Sequence, residues 1–123
     1  MSEHEAANEW IERATEDLRI ARLILAEGFG RGASYHVQQA AEKLLKAAIV
    51  KAGIRPPRTH DLVSLLTMLT APSRPTFDLL MARQITDWVI SGRYPTGDDP
   101  LPTEAEIAAS LDAVEALLTS IAG

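Results

Sequence analysis

A strong helical signal runs through residues 34–48, Ser34-Tyr-His-Val-Gln-Gln-Ala-Ala-Glu-Lys-Leu-Leu-Lys-Ala-Ala48. Small or apolar side chains recur there at three- and four-residue intervals, as on one face of an α-helix, at Val37, Ala40, Ala41, Leu44 and Ala48. The pattern predicts a helix over about residues 32–52, closed by Gly53 and the Pro56-Pro57 pair. Alanines on this stripe favour close approach of a neighbouring helix.

Four further helices are predicted around this one, over about residues 6–27, 60–69, 76–90 and from residue 103 onwards. Gly28 and Gly30 are expected to stop the first helix, because glycine readily adopts the left-handed conformation. Thr59 is the expected N-cap of the third helix. The fifth opens with a capping-box pattern, Thr103-Glu-Ala-Glu106, and its apolar seam comprises Ile107, Leu111, Val114, Leu118 and Ile121.

The connections between these segments complete the fold-class prediction. The stretch Ser91-Gly-Arg-Tyr-Pro-Thr-Gly-Asp-Asp-Pro-Leu-Pro102 holds three prolines and two glycines, which predict a loop before the last helix. No strand is predicted. Helices joined in this way indicate an all-α, up-and-down four- or five-helix bundle, and the length of 123 residues suits a single domain over residues 1–123.

Composition excludes several classes of site. The chain has no cysteine, so structural disulfides and thiolate metal sites are excluded, and a reducing cytoplasm is the expected location. No apolar run approaches the roughly 20 residues of a membrane span. Asp98-Asp99 has no histidine nearby in sequence, so no metal site is predicted. No motif for a serine or cysteine nucleophile and no cofactor site is found.

The net charge of −5 is unevenly distributed along the chain. Residues 31–60 carry six Lys or Arg against the single acid Glu42, a net of +5. Residues 1–30 carry three Arg against seven acids, and residues 61–123 carry three Arg against nine. The basic belt fits either attraction of phosphate, RNA or an acidic partner, or pairing with the acidic helices beside it.

One face of the second predicted helix is polar. His36, Gln39, Lys43 and Lys46 fall within about 80° of one another at 100° per residue, roughly opposite the core stripe. We therefore do not expect His36 to be a core histidine. The face is interpreted either as a cationic strip for a phosphate backbone, with His36 available for proton transfer, or as an ordinary solvated surface.

A second edge of the same helix mixes apolar and polar residues, namely Tyr35, Gln38, Glu42, Leu45 and Ile49. The edge is wider than one neighbouring helix needs, so it fits packing against the third or fifth helix or against another subunit. Packing within the monomer is the expectation for Leu45, whereas both alternatives stay open for Ile49.

Several motifs together resemble the HEPN family of small helical, nucleotide-binding domains. They are Ala14-Thr-Glu-Asp-Leu-Arg-Ile-Ala21, Tyr35-His-Val-Gln-Gln-Ala-Ala-Glu-Lys-Leu-Leu-Lys-Ala47, Thr59-His-Asp-Leu62 and Arg93-Tyr-Pro95. The resemblance implies a helical bundle that is commonly a homodimer. It also implies a small nucleotidyltransferase as partner, in a toxin–antitoxin pair.

In some branches of that family the HEPN subunit is a metal-independent RNase with an Arg, four to six residues, then a His. This chain has one such spacing, Arg31-Gly-Ala-Ser-Tyr-His36. The resemblance implies that His36 would handle protons at the ribose and that Arg31 would steady phosphate charge. In those branches the motif lies later in the domain, where this chain has Arg93-Tyr94 with no histidine after it.

Two further sites have alternative interpretations. Arg93 and Tyr94 would bind a nucleotide phosphate and stack on a base, or else Tyr94 packs over the bundle end while Arg93 pairs with Asp87 or Asp98. His60 is expected to be a hydrogen-bonded structural contact rather than a ligand.

Three hypotheses follow from these observations. The preferred one is a non-catalytic HEPN subunit that binds a nucleotidyltransferase partner or a nucleotide, for which Gln39, Lys43, Lys46, Arg93 and Tyr94 are the candidate contacts. The second is a metal-independent RNase toxin that uses Arg31 and His36. The third is a nucleic-acid binder without cleavage, with contacts from Lys43, Lys46, Lys51, Arg55 and Arg58.

Overall fold

The computed structural model describes residues 1–91 and 101–123. Within this part the chain forms five helices and no strand, namely α1 (Glu3–Ala26), α2 (Gly30–Lys51), α3 (Leu62–Met68), α4 (Leu79–Ser91) and α5 (Glu104–Ala122). The predicted all-α bundle is therefore confirmed.

Local hydrogen bonding sets the ends of the longer helices. At α5 the Thr103 hydroxyl accepts from the Glu106 N–H at 3.1 Å, and the Glu106 carboxylate accepts from the Thr103 N–H at 3.0 Å, so the predicted capping box is present. Ser2 and Glu5 form the same arrangement, and α1 consequently begins at Glu3 rather than near residue 6. Gly28 adopts a φ of +87° after α1, as expected for a glycine stop.

Two further predicted helix starts were wrong. Asp61, not Thr59, caps α3, because the Asp61 carboxylate accepts the Val63 N–H at 3.0 Å. The Thr59 hydroxyl instead accepts the Asp61 N–H just before the helix. α4 begins at Leu79 rather than near residue 76. At this start the Asp78 carboxylate accepts the Leu80 N–H.

α2 is the central helix and packs against each of the other four. Between residues 37 and 49 only Gln39 and Lys43 are half-buried, and every other residue is buried. Leu45 and Ile49 are fully buried within the single chain, which confirms the expectation for Leu45 and settles the alternatives for Ile49. The predicted α5 seam likewise belongs to the core, with Leu118 partly buried.

Contacts near the helix ends give the relative directions. The Trp10 ring of α1 lies 5.7 Å from Lys46 Nζ late in α2, whereas Ile24 near the end of α1 lies beside Gly32. α1 and α2 are therefore antiparallel. The starts of α2 and α5 lie together, and at the other end Lys51 Nζ donates to the Ile121 carbonyl at 2.5 Å, so α2 and α5 are parallel.

Candidate functional site

The polar strip of α2 (His36, Gln39, Lys43 and Lys46) lies against α1 and beside the segment before α3. Lys46 is buried, with 9% of its side chain exposed, and the other three residues are half-buried. Neither a solvated helix face nor a free cationic strip matches this placement. The interpretation as an ordinary solvated surface was therefore wrong, because a helical wheel gives directions about one axis and does not show which neighbour covers them. Phosphate binding by Gln39, Lys43 and Lys46 stays a prediction.

Asp17 of α1 holds the first half of the strip. Its Oδ1 lies 2.8 Å from His36 Nδ1, and its Oδ2 accepts a hydrogen bond from Lys43 Nζ. The Asp17 side chain is 9% exposed, so its carboxylate depends on these two partners for compensation of its charge. Asp17 thus joins α1 to two positions of α2 that lie about two turns apart.

Glu42 of α2 organises the second half. Its Oε2 accepts from Lys46 Nζ at 3.0 Å, and its Oε1 lies 2.8 Å from His60 Nδ1. Gln38 Nε2 donates to Glu42 Oε1 at 3.2 Å and to the His60 carbonyl at 2.9 Å, while Gln39 Nε2 donates to Gln38 Oε1 at 2.8 Å. His60 is therefore hydrogen-bonded to a structural partner, as expected.

The electrostatics of Glu42 follow from these contacts. Burial alone would raise the pKa of Glu42, but the hydrogen bonds from His60, Lys46 and Gln38 outweigh burial and lower the pKa below its ordinary value of 4.5. Glu42 is therefore ionised at neutral pH and compensates the charge of Lys46. Lys46 Nζ also lies 5.7 Å from the centroid of the Trp10 ring, in a cation–π contact.

His36 keeps one chemically available position. Its side chain is 27% exposed, Tyr35 meets it edge-on with ring centroids 5.3 Å apart, and Nε2 has no hydrogen-bond partner among residues 1–91 and 101–123. A carboxylate on Nδ1 fixes the orientation of an imidazole, which leaves Nε2 to exchange a proton with a ligand. This arrangement has the local chemistry of a general acid or base, without a second catalytic group beside it in the part of the chain that the structure describes.

Arg31 lies apart from His36 on the same helix. It is exposed in the first turn of α2. His36 lies five positions after Arg31, which places the two residues about 140° apart around the helix and about 7.5 Å apart along its axis. The two side chains consequently leave α2 in different directions, and their shared catalytic use remains a prediction.

The remaining candidates fall outside the part of the chain that the structure describes. Arg93 and Tyr94 lie there, as does the pair Asp98-Asp99. Among the described residues, no group of three or more His, Asp or Glu side chains is placed to hold a metal ion. None of the described helices is long and apolar enough to cross a membrane.

Sequence reasoning did not identify the two carboxylates that organise the strip. Asp17 had a recognisable signal, because it occupies an apolar position of α1, seven residues after Trp10 and four before Ala21. An acid on the buried face of a helix requires a cationic or hydrogen-bonding partner. Glu42 had a weaker signal as the one acid within the basic belt.

Comparison with known proteins gives a consistent result. The family model described as HEPN domain matches residues 7–122. The crystal structure of TT1696 from Thermus thermophilus is similar, with 28% identity over 94% of this chain and 95% of that one and a TM-score of 0.81. ST0689, an archaeal HEPN homologue, has 28% identity over 95% of each chain and a TM-score of 0.74. No curated protein matches the chain significantly.

Proposed function

This chain belongs to the HEPN domain family, and from that membership we propose that it is a non-catalytic binding subunit. Its partner would be a small nucleotidyltransferase in a toxin–antitoxin-type pair, and the chain itself would act as a cytoplasmic homodimer. A bound nucleotide is the alternative ligand for the same subunit, with Arg93 and Tyr94 as its proposed contacts.

The observation that carries this proposal is the internal use of the polar strip. Lys43 and Lys46 are the cations nearest His36 on that face, and each contacts a buried carboxylate of the same chain. A phosphate would have to compete with Asp17 and Glu42 for these ammonium groups and would be repelled by both acids. The strip is therefore poorly suited to stabilise the negative charge of a phosphorane-like transition state. It is well suited to join helices of the same chain.

The outer face of α4 supports the binding role. Leu80 is 76% exposed, Ile90 54% and Leu79 42%, and Met81 and Trp88 are only partly buried beside them. Arg83 and Asp87 lie on the same face, one turn apart. An apolar face with one cation and one anion is self-complementary about a two-fold axis, so we assign it to the homodimer.

The RNase hypothesis remains as the second candidate because of the Asp17–His36 contact. That contact orients the imidazole and leaves Nε2 available, as a proton-transferring group requires. Since Arg31 points elsewhere on α2, a shared site would have to combine Arg31 of one protomer with His36 of its partner.

One pair of measurements separates the two candidates. We expect the purified chain to leave labelled total RNA intact in excess chelator, and the tagged chain to retain a nucleotidyltransferase when the two are coexpressed. The control is His36→Ala, which should behave like the wild type in both assays provided that it remains folded.

The opposite pattern identifies an enzyme. Chelator-resistant cleavage that disappears in folded His36→Ala would overturn the non-catalytic role and locate the active site at α2. Absence of cleavage together with failure to retain any nucleotidyltransferase would overturn the partnership itself.

A further inference from the structure

The cations between residues 43 and 77 have two different kinds of surroundings in the structure. Residues 43–77 contain one carboxylate, Asp61, and six cations, namely Lys43, Lys46, Lys51, Arg55, Arg58 and Arg74. Asp61 is committed to α3, because its Oδ1 accepts the Val63 N–H and its Oδ2 accepts the Ser64 hydroxyl at 2.8 Å. Only two of the six cations, Lys43 and Lys46, form ion pairs within the described residues.

The other four cations lie at or beyond the C-terminal end of α2, and all are exposed. We call this group the basic end: Lys51, Arg55, Arg58 and Arg74. Lys51 and Arg74 line one open cavity of about 330 Å³, although they are 23 residues apart in sequence. The fold therefore brings Arg74 close to Lys51, while Arg55 and Arg58 follow Lys51 in sequence.

None of the four cations of the basic end forms an ion pair with a carboxylate among residues 1–91 and 101–123. α1 starts at the same end of the bundle with the exposed acids Glu3 and Glu5, and neither is paired with the basic end there. Lys51 Nζ donates to the Ile121 carbonyl, which satisfies one of its three N–H donors and leaves its charge in place. The basic end is thus a concentration of positive charge on an acidic protein.

Backbone geometry fixes part of this cluster. Gly53, at φ +80°, turns the chain after α2, and the Ile54 N–H donates back to the Ile49 carbonyl at 3.1 Å. Pro56 and Pro57 then separate Arg55 from Arg58. Two consecutive prolines restrict the backbone to extended conformations, so the backbone between these two arginines has little freedom left to lose when a ligand binds.

We propose that the basic end binds the phosphodiester backbone of a nucleic-acid strand, which it would recognise by charge rather than by base. Three of its four cations are arginines, whose guanidinium groups fit phosphate oxygens. Protein–protein interfaces have cores enriched in aromatic residues, whereas the cavity beside Lys51 and Arg74 has no aromatic residue in its lining among the described residues. The proposal does not depend on the nucleotidyltransferase partnership, and the residues involved exclude His36.

The test is fluorescence anisotropy of the full chain with a labelled single-stranded RNA, the matching DNA and polyglutamate of equal charge. We expect both nucleic acids to bind alike, with a Kd in the range of about 10⁻⁶–10⁻⁴ M. Four backbone contacts predict a slope of log K against log salt near −3, or about a 50-fold loss of affinity between about 50 and 200 mM salt. Polyglutamate should bind more weakly than either strand.

Matched double variants locate the surface. Arg55→Ala with Arg58→Ala should reduce the salt slope by about half, and Arg74→Ala alone by about a quarter. Arg13→Ala with Arg19→Ala removes the same charge from the exposed side of α1 and should leave the slope unchanged.

Four outcomes would overturn the proposal. They are no binding at low salt, an equal loss in the α1 double variant, polyglutamate bound as tightly as RNA, and RNA bound without DNA. Circular dichroism of each variant guards against unfolding, which is not expected because all the altered side chains are exposed.

Discussion

Asp17 and Glu42 have the same structural role at two positions along the bundle. Each is a buried carboxylate that contacts one lysine and one histidine. Removal of one partner from a buried ion pair leaves the other charge unsatisfied, and this generally costs more than the pair contributes when intact. The two clusters therefore connect α1, α2 and the segment before α3 in a way that apolar packing alone would not specify.

Glu42→Gln should change the pH dependence of stability. The pKa of folded Glu42 lies below the ordinary value, so its contribution is present above about pH 4.5 and is lost as pH falls through the folded pKa. We expect the free energy of unfolding of the variant at pH 7 to be about 1–3 kcal/mol lower than that of the wild type, because Lys46 and His60 lose their carboxylate. The difference should narrow towards pH 3 in urea titrations.

Glu12→Gln is the matched control for this experiment, since Glu12 is exposed on α1. Its stability curve should follow that of the wild type. Curves for Glu42→Gln and wild type that stay parallel from pH 7 to pH 3 would contradict the role assigned to the Glu42 carboxylate.

Individual residues also show what sequence could and could not predict. Periodicity correctly placed His36, Gln39, Lys43 and Lys46 on one face of α2, because that grouping depends only on the helix itself. It could not show that Asp17 contacts His36 and Lys43, since these two residues lie 19 and 26 positions after Asp17 in the sequence. The sequence therefore predicted the grouping, and the fold supplied the partners.

Helix ends were predictable where the signal was local and complete. The Thr103–Glu106 pattern satisfied both halves of a capping box and was confirmed. At α3, Thr59 and Asp61 are both good capping residues two positions apart, and the carboxylate was the one used. The residue types did not distinguish the two candidates, because both kinds of side chain can accept a backbone N–H. Both do so in the structure.

Thr103→Ala should destabilise the start of α5. Loss of the hydroxyl that accepts the Glu106 N–H is expected to lower the free energy of unfolding by about 1 kcal/mol. Thr119→Ala is the control within the same helix, because the exposed Thr119 hydroxyl donates back to the Glu115 carbonyl and alanine is the better helix former. Urea unfolding should show no loss for Thr119→Ala, and an equal loss in both variants would contradict the capping argument.

The outer face of α4 exposes three large apolar side chains, Leu79, Leu80 and Ile90, within the described part of the bundle. This exposure is visible only after folding, since the α4 sequence shows Phe77, Met81, Ile85 and Trp88 as its stripe and gives no reason to single out Leu80 or Ile90. The stripe residues were correctly predicted to face inward, with Ile85 buried and the others partly buried. Phe77 does so from just before the helix starts.

Leu80→Glu combined with Ile90→Glu should convert the proposed dimer into a monomer in sedimentation experiments. Two buried charges of like sign across a two-fold axis would oppose association. Leu23→Glu is the matched control, because Leu23 is 69% exposed on the outer side of α1. A wild-type monomer, or equal dissociation of the Leu23→Glu variant, would rule out the α4 face as the dimer contact.

The enclosed position of α2 has a consequence for the lifetime of its hydrogen bonds. A helix that packs against all four others offers no edge from which it can fray independently, apart from its two ends. Amide hydrogens in its middle turns can then reach solvent only through opening of the entire bundle. The backbone amides in the middle of α2 should thus exchange their hydrogens more slowly than any others in the molecule. Their exchange rate then measures how often the whole chain unfolds.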